Sequence, residues 1–198
     1  MSSERTIRFI TPSDTEQVLA IYAHYVEHTH ITFEYPPPSL EEYRQKITLV
    51  IEQYPWLVYE EDGKIIGYAY AHVHRPRAAY QWSPEATIYL HHQYKGKGIG
   101  RVLYTALFDL LRLQGYYTVL AGVGQPNDGS NHLHKKLGFL DIGTFKDVGF
   151  KFGNWHDTVW YRLPLGDRPE EPTEPTAITD IKPEAISEIL RRAQQSLR

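Results

Sequence analysis

The chain of 198 residues contains no cysteine. Disulfides, thiolate metal sites and a cysteine nucleophile are excluded together. It has no apolar run of membrane-spanning length, and its first ten residues, MSSERTIRFI, lack an apolar signal core. A cytoplasmic protein without a membrane partner is the expectation. An excess of one charge is also missing. Lys and Arg number 21 against 24 Asp and Glu, a net charge of -3, which gives no reason to expect nucleic acid as a partner. No internal repeat is visible. The pairs His72/His74 and His91/His92 lack helical ligand spacing and clear carboxylate partners, so no metal is expected.

What is present suits a folded domain of ordinary size. Hydrophobic residues make up 41% and charged residues 23%. Fifteen tyrosines and four tryptophans either fill the core or wall a pocket. The pattern predicts a strand over 6–10 and a helix from Ser13 or Asp14 to His28. An irregular HTHITFEYPPP stretch follows. Ser39 and Glu42 form a capping box for a second helix reaching Gln53. Residues 56–73 read as a hairpin turning at Asp62-Gly63. A proline-containing loop leads to a strand at 85–90. A helix carrying Ile99, Val102, Leu103, Leu107, Leu110 and Leu111 on one stripe stops at Gly115. Next come a buried strand at 117–124, a short helix over 131–138, and two strands near 139–150 and 156–163. This order predicts a mixed α/β sheet with helices on both faces.

Three regions are expected: a main domain over 1–163, a proline-rich acidic linker or wrapped segment over 164–181, and an amphipathic helix over 182–198. The terminal helix must pack on its own domain or on a dimer mate.

The strand at 85–90 runs through HHQYKGKGIGR into the apolar helix. A strand, a glycine turn and a helix start place several free N–H groups and the positive end of a helix dipole together, which suits phosphate or pyrophosphate. Lys95, Lys97 and Arg101 add charge. Walker A chemistry is excluded, because Gly98 rather than Ser or Thr follows Lys97. The dinucleotide fingerprint is absent too: the glycines fall at 96, 98 and 100, and position 103 is leucine.

The segment Lys95-Gly96-Lys97-Gly98-Ile99-Gly100 resembles the acetyl-CoA loop of the GNAT superfamily of N-acetyltransferases, with lysine in place of Arg or Gln at its first position. Asn127 to Ser130 and Leu133 to Phe139 are similar to that family's following helix. THITFEYPPP, RPRAAYQWSPEATIYL and GTFKDVGFKFGNWHDTVWYRL resemble its phosphinothricin and methionine sulfoximine acetylating branch, and the resemblance covers about residues 5 to 163. It implies a GNAT-like, mainly antiparallel sheet, acetyl-CoA as co-substrate, a small-molecule amine as acceptor and a homodimer. It places the cofactor on Ile88, Tyr89 and Leu90, whose backbone pairs with the pantetheine arm, on the loop Lys95 to Arg101, and on Asn127 and Ser130.

The resemblance makes Glu85 the catalytic base, acting directly or through water, and puts His134 beside the leaving thiolate. An α-amino group titrates near pH 8, so a modest base suffices. The ordinary alternatives are a solvated strand end for Glu85 and a packing histidine for His134. Arg75 and Arg77 are candidates to grip an acceptor carboxylate, or simply loop cations. Phe33, Glu34, Tyr80, Lys151 and Trp155 are candidate walls. Two competitors remain: the same chemistry on a polyamine, drug or protein N-terminus, and a non-catalytic acyl-CoA sensor.

Overall fold

The computed structural model describes residues 4–197. Seven strands form one sheet in the order β1-β2-β3-β4-β5-β7-β6. They are β1 (Arg5–Phe9), β2 (Trp56–Glu61), β3 (Lys64–His72), β4 (Glu85–Leu90), β5 (Thr118–Gly124), β6 (Leu140–Lys151) and β7 (Asn154–Pro164). Every pairing is antiparallel except β4 with β5. The mainly antiparallel mixed sheet expected from the sequence is therefore present. Among the described residues the five α-helices are α1 (Thr15–His28), α2 (Leu40–Gln53), α3 (Ile99–Gln114), α4 (Asp128–Lys136) and α5 (Pro183–Gln195).

Local chemistry sets most of the boundaries. Glu42 N–H donates to the Ser39 hydroxyl at 3.2 Å, and the Ser39 N–H donates back to the Glu42 carboxylate at 2.7 Å, so α2 starts where the capping box predicts. Asp62 and Gly63 both take positive φ, 50° and 79°, as a tight hairpin turn requires. α4 begins three residues earlier than the sequence reading. The Asn127 side chain accepts from the Ser130 N–H at 3.2 Å and caps it, so NDG opens a helix rather than ending a loop.

Two hydrophobic layers sandwich the sheet. Tyr22, Tyr43, Trp56, Tyr68 and Tyr70 pack with α1 and α2 on one face. Leu103, Leu107, Leu110, Leu111 and Val119 pack with α3 on the other. Trp56 stacks on Tyr70 with centroids 3.9 Å apart. The aromatics on this face are mostly core.

Residues 164–181 wrap the domain. Trp82 Nε1 donates to the Thr173 carbonyl at 2.7 Å, and the Gln114 amide donates to the carbonyls of Gln53 and Thr176, each at 2.8 Å. The apolar face of α5 is covered by its own chain: Ile189 and Ala193 join the layer beneath α3. Gln194 bonds the exposed edge of β1, accepting from the Ile7 N–H at 2.9 Å and donating to the Arg5 carbonyl. An edge strand is thereby capped by a side chain rather than left open.

Candidate functional site

β4 and β5 run side by side only at their start. Their one paired position is Glu85 with Leu120, and the Leu120 N–H donates to the Pro84 carbonyl at 2.9 Å. Beyond that point they part, so one edge of β4 from Ala86 onward has no strand neighbour. Side chains alternate along β4. Ala86, Ile88 and Leu90 join the layer beneath α3, while Tyr89 packs toward α1 and α2. Glu85 shares the parity of Tyr89 and therefore faces the α1/α2 side.

The opening between the strands is a cleft of about 1340 Å³. It runs from Glu85 and Thr87 past Ile88, Tyr89 and Leu90 to the loop Lys95–Arg101, with Asn127, Ser130 and His134 on the opposite wall. All fourteen residues assigned from the sequence to catalysis or cofactor binding line this one cleft.

The glycine loop has a physical reason for its composition. Gly96 and Gly98 adopt φ of +79° and +81°, a region costly to other residues, and nothing lies within 4 Å of where a Cβ would stand. Gly98 is the N-cap of α3, so the N–H groups that open the helix at Ile99 and Gly100 have no partners within it. Gly100 serves differently: a Cβ there would stand 3.2 Å from Leu133 and 3.4 Å from Ile88, so its absence lets α3 press against β4 and α4. Lys97 rests over the Tyr94 ring at 4.3 Å and Lys95 over Tyr25 at 5.2 Å, holding two cations at the cleft mouth. Tyr25 also donates to the Leu90 carbonyl, and burial pushes its hydroxyl up to about 12.

His134 is buried, with Nδ1 2.8 Å from the Ser130 carbonyl. A carbonyl only accepts, so Nδ1 carries the hydrogen. Burial holds the imidazole below its usual range, and Nε2 is left with a lone pair 3.5 Å from the Tyr104 hydroxyl. That geometry supplies an acceptor at Nε2. With its one hydrogen on Nδ1, the neutral imidazole presents no N–H at Nε2. The neighbouring donor is Tyr104, a cleft residue that the sequence reading did not single out and whose hydroxyl burial keeps protonated.

Glu85 Oε2 lies 3.1 Å from His74 Nδ1. His74 too was missed. The sequence reading left it without a carboxylate, because a contact across the β3–β4 loop leaves no periodic signal.

The expected acceptor walls are less convergent. Phe33, Glu34, Arg75, Arg77, Tyr80 and Lys151 do not line the cleft; Ile31 and Thr32 do. Lys151 is buried and donates to the carbonyls of Val26 at 2.7 Å and Thr32 at 2.8 Å. Its ammonium, shifted downward by burial, fastens the α1–α2 loop, which explains why it is committed to backbone rather than turned toward an acceptor. Phe33 sits against Gly149, where a Cβ would overlap its ring. Arg75 and Arg77 are exposed, Arg75 lying over the Tyr80 ring at 5.6 Å, and Trp155 is exposed as well.

A sheet parted beside a glycine-capped helix start offers free backbone donors to an anion and an unpaired strand edge to an extended chain. Comparison with known proteins identifies the family. The acetyltransferase (GNAT) domain family matches residues 7–160, and the chain belongs to this family. It is 38% identical over 179 residues to a phosphinothricin N-acetyltransferase of Streptomyces viridochromogenes, covering 87% of this chain and 98% of that one. It is 33% identical over 168 residues to an L-methionine sulfoximine/L-methionine sulfone acetyltransferase of Salmonella typhimurium, covering 82% and 95%. Among solved structures, a phosphinothricin acetyltransferase from Sinorhizobium meliloti in complex with AcCoA superposes with a TM-score of 0.82 at 34% identity, covering 93% of this chain and 97% of that one.

Proposed function

We propose that the chain is an acetyl-CoA-dependent N-acetyltransferase acting on the α-amine of a small amino-acid-like compound. The observation that carries this reading is the convergence on one cleft of Glu85, the free edge of β4 and the glycine-capped start of α3. The residues fit acetyl-CoA. The open space at Gly96 and Gly98 and the unpaired N–H groups of α3 suit the pyrophosphate, with Lys95, Lys97 and Arg101 around it. The unpaired edge at Ile88 to Leu90 suits an extended amide chain, which adds to a sheet edge like a strand. When bound there, acetyl-CoA supplies an acyl group activated as a thioester.

The chain's own groups act around it. Glu85 takes the proton from the acceptor ammonium, directly or through a water, so that the nitrogen attacks as a free amine. Tyr104 places its hydroxyl at the cleft wall 3.5 Å from Nε2 of His134, and its one hydrogen serves either that lone pair or the leaving thiolate. Catalysis by direct transfer fits a chain with no cysteine to carry the acyl group. The names of the relatives favour an amino-acid-like acceptor over a polyamine or a protein N-terminus. The reading places the enzyme in the cytoplasm, where acetyl-CoA is consumed.

The test is thiol release from acetyl-CoA across a panel of amines. Phosphinothricin or methionine sulfoximine should raise the rate well above those for spermidine, a simple drug amine and an N-terminal peptide. Preference for the peptide or polyamine would overturn the acceptor class, and release with no amine in the panel would overturn the enzyme.

We further assign a homodimer, formed through the β6–β7 ribbon rather than α5. Phe150 and Trp155, paired across that ribbon with ring centroids 5.3 Å apart, are each at least 50% exposed, an apolar surface that a second copy would cover. Light scattering at micromolar concentration should report twice the chain mass, and Phe150→Asp with Trp155→Asp should halve it. A monomer in the unmodified protein would refute the assignment.

A further inference from the structure

The two histidines beside Glu85 are not equivalent. His72 pairs with Glu85 across the β3–β4 register, and His74 follows in the loop just beyond β3. His72 Nδ1 lies 3.0 Å from the Val73 carbonyl, which only accepts, so its N–H is committed there. Its Nε2 faces the Thr87 hydroxyl at 3.4 Å, and burial lowers its affinity for a second proton. His72 therefore has no hydrogen to offer the carboxylate. His74 does: its Nδ1 stands 3.1 Å from Glu85 Oε2, with only 13% of the His74 side chain and 21% of the Glu85 side chain exposed. The His74 ring is held from two directions, edge-on to Trp160 at 5.4 Å and to Tyr80 at 6.1 Å. Among the described residues, no protein donor is bonded to Oε1 of Glu85.

We propose that His74 is a positioning residue for Glu85: its Nδ1–H holds Oε2, and this fixes the carboxylate rotamer that presents Oε1 to the acceptor amine. The proposal rests on the reading of Glu85 as the base. A carboxylate at the mouth of a strand has several rotamers, and proton abstraction needs one of them within hydrogen-bond reach of the nitrogen. A single donor on one oxygen selects the rotamer and leaves the second oxygen free. The packing of Trp160 and Tyr80 against the imidazole transmits the rigidity of β7 and the 73–84 loop to the carboxylate.

Two substitutions and one spectrum test it. His74→Phe keeps a ring between Trp160 and Tyr80 and removes the N–H. His74→Asn loses the ring but keeps an amide N–H near the place of Nδ1. With a competent amine, His74→Phe should lower kcat on the order of tenfold, leaving CoA affinity by calorimetry unchanged, and His74→Asn should recover most of that loss. Nitrogen-detected NMR of the histidine rings in the enzyme without ligand, above pH 8 where imidazoles are neutral, should show His74 as the Nδ1–H tautomer. Glu85→Ala should abolish that preference. A His74→Phe enzyme with wild-type kcat, equal losses in the Phe and Asn variants, or an Nε2–H tautomer in the unmodified protein would each overturn the proposal. The base assignment is tested apart from it. If Glu85→Gln is fully active, the base reading fails whatever the spectrum shows. If Glu85→Gln is inactive while His74→Phe is normal, only the role of His74 fails.

Discussion

Glu85→Gln is expected to lower kcat/KM for the acceptor amine by about a hundredfold or more at pH 7, with little change in CoA affinity. The substitution keeps the shape of the side chain and removes its basicity. The amide oxygen of the variant side chain can still accept from His74, so the β3–β4 contact survives and the fold should melt at nearly the same temperature. The size of the loss should depend on pH in one direction. At pH 7 nearly all of an amino-acid α-amine is protonated, because its own carboxylate stabilises the ammonium, and the enzyme must remove that proton. At pH 9 to 10 the solution already supplies the free amine, so the defect should shrink. A structural defect would not recover in this way. Rates measured from pH 6 to 10 on both proteins make the comparison, and a variant with the wild-type rate and profile would return Glu85 to the role of a solvated strand end.

The second large effect is expected at Gly98. Gly98→Asp should weaken CoA binding by at least about a hundredfold, measured by calorimetry. Two contributions add. A side chain at φ +81° costs on the order of 1–2 kcal/mol in backbone strain, which bears on stability as well as on the loop. A carboxylate facing a pyrophosphate at ~4 Å near a protein surface adds a repulsion of up to ~4 kcal/mol. Gly98→Ala separates them, because it carries the strain without the charge. Nothing lies within 4 Å of the position, so alanine meets no clash, and its effect should stay within the roughly five- to thirtyfold that the strain alone represents. Equal affinities for the Asp variant and the unmodified protein, with both folded, would show that the loop does not hold the pyrophosphate.

The residues behind these two predictions were legible because the signals are local. Gly96 and Gly98 need positive φ within a few residues of one another, and that requirement is written directly into KGKGIGR. The stripe from Ile99 to Leu111 repeats at helical spacing, and Asp62-Gly63 can turn a hairpin without help from the rest of the molecule. Glu85 is the first residue of a strand that leads straight into the loop, so its place beside the cleft followed from order along the chain. Where a local cue was misread, as at Asn127, the error was one of boundary: the side chain that caps α4 also resembles a turn.

Other features depend on residues far apart in the chain. Lys151 was a reasonable candidate for a wall of the acceptor site until the fold brought it to the carbonyls of Val26 and Thr32, 125 and 119 positions away. The terminal helix was plainly amphipathic, but which surface it covers follows from the path of residues 164–181 around Trp82 and Gln114. His74 and Glu85 meet because β3 and β4 pair in a register that sets the start of β4 opposite the end of β3. By itself the sequence determined the elements and the glycine loop, since backbone preferences and side-chain periodicity act over a few residues, while Glu85 became the candidate base through the family resemblance. The tertiary structure alone decided the parting of β4 from β5, the partner of Glu85 and the tautomer of His134, because strand register and burial depend on contacts between residues that no local pattern connects.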